Sequence, residues 1–377
     1  MRRKLNFTHF KEDVISSLER YLDSRTQIDD RAIVAFVAAR DIALVQSIVD
    51  TCSKKDVSLF GGVFPALVVN GEVCDHGVLL AEVPMAGEGL VTSIEGPVDE
   101  QELAAWKASV PAQANTLLVL ADYACVQITE LLNGLQDLFA NEVNYFGGGC
   151  GAGTRVPSGV VFSHNGIASG SAVVVPIASQ SNVALRHGWE VLSEQMVASD
   201  TDGNIIRTIN WQPAMDAYRH VVGEQVSDSL ANGADVPEAK RFPFGIRRAG
   251  EEPVIRDPLH ATEDGSLMVL SGVPSHATMS VMKGDDARLT EAAYELGADV
   301  ARLEPARHLL VFDCFSRAML YGASKRDADL IAMKRAFRDS GLDVSLYGAM
   351  ASGEICSDGL RYVDFHNKTV AICSFGA

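Results

Sequence analysis

Thr116-Leu117-Leu118-Val119-Leu120, then a run that sets Ile128, Leu131, Leu132, Leu135 and Leu138 on one face, then Asn144-Tyr145-Phe146-Gly147-Gly148-Gly149-Cys150-Gly151: this stretch reads as strand, helix and strand. The first piece is apolar without alternation, the pattern of a strand covered on both faces. The helix has a single apolar stripe, so it packs on one side only. A further strand, Gly170-Ser171-Ala172-Val173-Val174-Val175, completes the unit.

The same order occurs on either side. Upstream lie the strand Ala32-Ile33-Val34-Ala35-Phe36-Val37 and a helix expected to open at Asp41 as N-cap, with Ile42, Val45, Ile48 and Val49 on one face. Ser58-Leu59-Phe60-Gly61-Gly62-Val63 and Gly77 to Val83 follow. Downstream, His308 to Cys314 is the strand, Leu330, Met333 and Phe337 line the helix, Val344 to Gly348 enters a turn, and Thr369 to Phe375 closes the chain. Phe60-Gly61, Phe146-Gly147 and Tyr347-Gly348 hold the same place in each unit. The expected fold is α/β, in the mixed α+β sense: layered sheets with outer helices, built from repeated strand–helix–strand–strand units. The glycines read as turns that something approaches closely, either a ligand or another strand.

Around the units, Phe10 to Leu22 reads as a helix capping the sheet. Between the second and third units, Asp202-Gly203 marks a hairpin within Glu190 to Ile209. Trp211 to Tyr218 reads as a helix with Pro213 in its first turn. Residues 223–258 read as a loop, Ser266 to Met282 as a second hairpin and Asp285 to Arg302 as a helix.

The 377 residues carry a net charge of −17, with 47% hydrophobic and 21% charged residues. These are the proportions of a folded globular chain. The acidic balance repels phosphate backbones and anionic lipid surfaces, which argues against nucleic-acid and membrane partners. No apolar run is long enough to span a bilayer, and Met1-Arg2-Arg3-Lys4 leads into no signal-peptide hydrophobic region. Seven cysteines without a CxxC pair read as reduced thiols, hence an expected cytoplasmic location.

Gly147, Gly149 and Ala152 satisfy a loose GxGxxG/A pattern, but Thr154-Arg155-Val156-Pro157-Ser158-Gly159 reads as turn and strand where a dinucleotide site needs a helix. No GxxxxGK[ST] or HExxH occurs, and Asp200-Thr201-Asp202-Gly203-Asn204 has Trp211 where a calcium loop needs glutamate. Cys74-Asp75-His76 lacks a second ligand pair. Cys150 is the best nucleophile candidate and would support a cysteine-dependent hydrolase or transferase, if a base stood beside it; the plainer reading is a small buried thiol. Arg317, Glu354 and Asn367 stand at strand ends in apolar surroundings. A buried Arg and Glu would need each other or a charged ligand.

At these residues the chain resembles the FIST family of bacterial sensory proteins, with tandem N- and C-terminal domains. His187-Gly188-Trp189, Gly203-Asn204, Pro213-Ala214 and Tyr218 follow the family's pattern, as do Cys314-Phe315-Ser316-Arg317, Gly353-Glu354-Ile355 and Phe365-His366-Asn367-Lys368-Thr369. Phe60-Gly61-Gly62-Val63-Phe64-Pro65 departs from the family's Gly-Cys-Ser-Thr turn. The resemblance implies a FIST N-like domain over 31–184 and a FIST C-like domain over 185–377, after an N-terminal segment of 1–30. It implies a small-molecule sensor, not an enzyme, that signals through a separate protein such as a histidine kinase. Amino acids are among the ligands suggested for the family. The expected ligand contacts are Gly148, Gly149, Cys150, Arg317, Glu354 and Asn367. Some members similar to this chain bind haem, which needs an axial ligand; His187 is the first candidate, with His76, His164 and His276 behind it.

Overall fold

The apolar runs form strands with no exposed surface in a computed structural model that describes residues 5–25, 31–152, 160–231, 239–248, 252–303, 307–357 and 362–376. In each unit a lead strand (Arg31–Ala38, Thr116–Asp122, His308–Cys314) runs parallel to a glycine strand (Leu59–Phe64, Asn144–Cys150, Ser345–Ala351). It runs antiparallel to a return strand (Val78–Pro84, Ser171–Ile177, Val370–Phe375). A parallel pair needs a crossover, supplied by the helices Val45–Lys54, Ile128–Phe139 and Ala328–Asp339. Each lead strand is preceded by an edge strand (Asn6–Phe10, Leu90–Ser93, Ser181–Arg186) and a helix (Val14–Ser24, Glu100–Ser109, Asp286–Ala301). The N-terminal helix is therefore the ordinary first helix of unit 1. A division at 184/185 would cut the edge strand of unit 3.

Between glycine strand and return strand every unit makes a hairpin: Ala66–Val69 with Glu72–Cys74, Val161–Ser163 with Gly166–Ala168, and Glu354–Ser357 with Asp364–His366. Each hairpin joins the sheet of another unit. The hairpin of unit 2 pairs with the glycine strand of unit 1, that of unit 3 with unit 2, and that of unit 1 with unit 3. The result is three six-stranded sheets of matching order, each completed by its neighbour in a closed cycle. The sheets face a shared core in which Phe36, Phe64, Phe146 and Phe312 pack with ring centroids 5.3–5.9 Å apart. Burying each such ring contributes about 1.5–3 kcal/mol.

This architecture corrects the reading of the glycines. They lie within buried strands, not in turns. The registers align Gly61, Gly147 and Gly348 opposite Ala35, Val119 and Val311. A Cβ on any of the three would stand 2.4, 1.8 or 1.9 Å from the carbonyl oxygen of that partner. Of the two close approaches considered, the neighbouring strand is the one that occurs.

A lobe of its own core interrupts unit 3 between its edge strand and first helix. Met196–Asp202 pairs with Ile205–Ile209 across the Asp202-Gly203 turn, as expected, and Tyr218, Phe244, Leu267 and Val281 fill the interior. Three local expectations change. The helix begins at Ala214, because Asn210 and Trp211 take left-handed φ of 50° and 61° in a tight turn before it. Residues 223–258 hold a helix, Glu224–Ala231, and the strands Phe244–Ile246 and Val254–Arg256. Leu267–Val269 and Thr278–Lys283 pair with other strands and not with each other. Met1 to Lys4 and Gly153 to Gly159 lie outside the described residues.

Candidate ligand cavity

Threefold repetition supplies an internal control: a polar group placed where the other two units are apolar is not demanded by the fold. Residues 37, 121 and 313 are equivalent by strand register, and 41, 125 and 317 each stand four positions further on, past the strand end. Asp41 accepts a hydrogen bond from Gly77 N at 2.6 Å, so it tethers the turn before the return strand instead of capping its helix. In unit 2, Asp122 accepts from Gly170 N at 3.3 Å. In unit 3 the tether is Arg317, whose Nη1 donates to the Lys368 carbonyl at 3.2 Å and to the His187 carbonyl.

Arg317 is fully buried and saturated. Its Nε donates to Asp329 Oδ2 at 2.8 Å, and Nη2 to Asp329 Oδ1 at 3.1 Å and to the Leu289 carbonyl at 3.0 Å. Its ionic partner is thus Asp329, not Glu354, and no donor nitrogen is left over for a ligand. Glu354 occupies the place of Leu67 and Val161. Its Oε2 accepts from Thr369 N at 3.1 Å and Thr369 Oγ1 at 2.5 Å, while Oε1 has no partner. Burial pushes its carboxyl up to about 8 against those hydrogen bonds. Asp313, where units 1 and 2 carry Val37 and Ala121, is also buried, and burial holds its carboxyl well above the usual range.

Next to these groups, a cavity of about 490 Å³ opens at the carboxyl ends of the lead strands of units 2 and 3, roofed by the inserted lobe. Strand ends of this kind are where α/β sheets hold ligands, and the volume suits a small molecule. Its walls include Phe315, Phe365 and Tyr123 from the units, and Met268 and Leu270 from the lobe. On its floor, Asn367 is 1% exposed; its Nδ2 donates to the His366 carbonyl at 2.9 Å, and its Oδ1 has no partner. Ser316 Oγ, also at the cavity, accepts from Lys368 Nζ at 3.3 Å. Lys368 is fully buried and pairs with Asp257 of the lobe at 3.1 Å. The lobe is further held by Trp189 Nε1, which donates to the Lys368 carbonyl at 3.0 Å, and by Arg256, which donates to Asp364 at 2.9 Å.

A second cavity, about 340 Å³, lies beside His187. Its arginines are paired: Arg186 with Asp299 at 2.6 Å, and Arg248 with Asp364. The His187 ring does not fit an axial haem ligand. Its Nδ1 accepts from Trp189 N at 2.8 Å, so the ring proton sits on Nε2, which then has no lone pair for iron. Burial and the Arg317 charge lower its pKa to about 3. His76, His164 and His276 are scattered. His76 lies near Asp41, His164 stacks edge-on against Phe60, and His276 is exposed at φ 63°. Among the described residues no cluster of three metal-ligating side chains occurs.

Of the six residues singled out in the sequence, only Asn367 lines the larger cavity; Glu354 and Arg317 lie behind its floor. Gly148 packs on Phe312 and Ala351, and Gly149 on the Ser352 carbonyl. Cys150 has no exposed surface, its Sγ would stand 2.4 Å from a Cβ on Gly62, and burial drives its thiol far above the ordinary value. It fills volume and has none of the features of a nucleophile. Asp257, Lys368, Ser271 and Asp329 went unrecognised. The signal within reach was Lys368, which stands inside the motif already quoted.

The model of the FIST N domain matches residues 31–212, and that of the FIST C domain matches residues 214–357. The seam between them falls inside the inserted lobe, just before the helix Ala214–Val222. No curated protein matches the chain.

Proposed function

The chain belongs to the FIST family, and on that premise we propose that it senses a small molecule held in the cavity between the strand ends of units 2 and 3 and the inserted lobe. FIST domains are generally described as small-ligand sensing domains of signalling proteins. The observation that carries the reading is the buried, unpartnered Oδ1 of Asn367 on the cavity floor, because a buried acceptor without a donor costs about 1–3 kcal/mol unless something fills its place. Ligand occupancy is reported through the lobe, which touches the cavity floor through Lys368–Asp257. A separate signalling protein such as a histidine kinase receives it, in the cytoplasm. Among the described residues no helix is long and apolar enough to cross a membrane.

The test is a thermal-shift screen of metabolites on the wild type and on Leu270→Trp, which fills the cavity from the lobe side. A compound present at a hundred times its Kd raises stability by about 2.7 kcal/mol in the wild type only. Equal shifts in both proteins would place binding elsewhere and defeat the reading.

A further inference from the structure

We infer that the ligand is an uncharged molecule with an apolar body and a neutral polar end that carries a hydrogen-bond donor, such as a primary amide or hydroxyl. This rests on the cavity reading above and specifies its chemistry. Among the described residues, two of fixed charge reach the cavity, Lys240 and Asp257. Asp257 is held by the buried Lys368 ammonium at 3.1 Å, and Lys240 is engaged as well. Behind the floor, Arg317 is saturated by Asp329 and backbone carbonyls. A carboxylate or ammonium entering the cavity would lose its hydration and find no counter-charge free, a penalty of several kcal/mol.

Apart from the Asp257 carboxylate, whose charge Lys368 already balances, what stays unmatched is neutral. Asn367 Oδ1, Ser271 Oγ and Thr129 Oγ1 are buried atoms at the cavity without partners. The Asn367 amide cannot turn to offer its nitrogen, because Nδ2 is committed to the His366 carbonyl. It therefore presents an acceptor and asks for a donor. Ser271 and Thr129 can each give or take one hydrogen bond. Phe315, Phe365 and Met268 supply apolar walls for the rest of the molecule. A zwitterionic amino acid fits this lining poorly, since it brings two charges to a site that balances its own.

Matched probes on one skeleton test this: phenylacetamide, phenylacetate and phenethylamine, with the hexanoyl series as an aliphatic set, titrated calorimetrically into the full chain. The amide is expected to bind at least tenfold more tightly than its carboxylate and ammonium relatives in one of the sets. Asn367→Ala is expected to weaken the amide at least tenfold, and Asn367→Asp to shift preference to the ammonium. Leu270→Trp serves as the occupancy control. A charged probe that binds as tightly as the amide, and is blocked by Leu270→Trp, overturns the neutral class while leaving the cavity in place. Binding unaffected by Leu270→Trp, or no binding by any probe, overturns the cavity reading and this inference with it.

Discussion

At the scale of single residues, unit 3 is the one that departs from the apolar rule of the repeat, and Glu354 does so most openly. Its folded carboxyl sits at about 8 against an ordinary value of 4.5, chiefly through burial. Between those values the native state holds a proton that the unfolded chain has released. Stability contributed by this group is therefore complete below about pH 4.5 and falls as pH rises towards 8. His187, lowered to about 3, acts in the opposite sense: its stability is gained as pH rises from there towards 6.5. Glu354→Gln should remove the loss and keep the acceptor for Thr369, so the variant gains on the order of 4 kcal/mol over wild type at pH 8.5 relative to pH 5, by urea unfolding. An unchanged difference would mean that the carboxyl is ionised in the fold. Arg317→Ala should cost about 3–5 kcal/mol, because Asp329 would be left buried without its cation. Loss of ligand binding with undiminished stability would contradict the structural role. In the sequence Arg317 reads as buried, with Glu354 or a charged ligand as its partner; the partner observed is Asp329. Asp329 stands twelve positions later on the following helix, and no local spacing joins them.

At the scale of elements, strands and helices were legible because burial on both faces or on one face leaves a period in the sequence. The glycines were misread as turns because a glycine in a crowded strand and a glycine in a turn look alike in sequence; only the carbonyl opposite tells them apart. Gly147→Ala should destabilise by at least about 3 kcal/mol, since its Cβ would stand 1.8 Å from the Val119 oxygen. Gly96→Ala, which meets nothing within 4 Å, should stay within about 0.5 kcal/mol. Equal effects in thermal unfolding would refute the crowding argument. The exchanged hairpins left no sequence signal at all, because pairing between distant edges is decided by geometry. Leu67→Asp, in the hairpin of unit 1, should accelerate amide exchange across Ser345–Ala351 of unit 3. Protection lost only within unit 1 would contradict the exchange.

At the scale of the whole molecule, the cycle of hairpins means that no unit completes its sheet alone. Segments 1–179 and 180–377, produced separately, should each fail to fold and should recover circular dichroism and a 1:1 complex when co-expressed. Either segment folding alone as a stable monomer would break that claim. The same interlock fixes the cavity, which needs unit 2, unit 3 and the lobe together. The resemblance carried by the motif residues reached the family. The cavity itself depends on Asp257, Ser271 and Leu270, which belong to a stretch whose strands were only partly legible. The most direct measurement is a crystal structure of the chain with a compound that raises its melting temperature. The expected result is ligand density under the lobe with a donor within hydrogen-bond distance of Asn367 Oδ1. Density beside His187 or on the outer surface, with that cavity still empty of ligand, would contradict it.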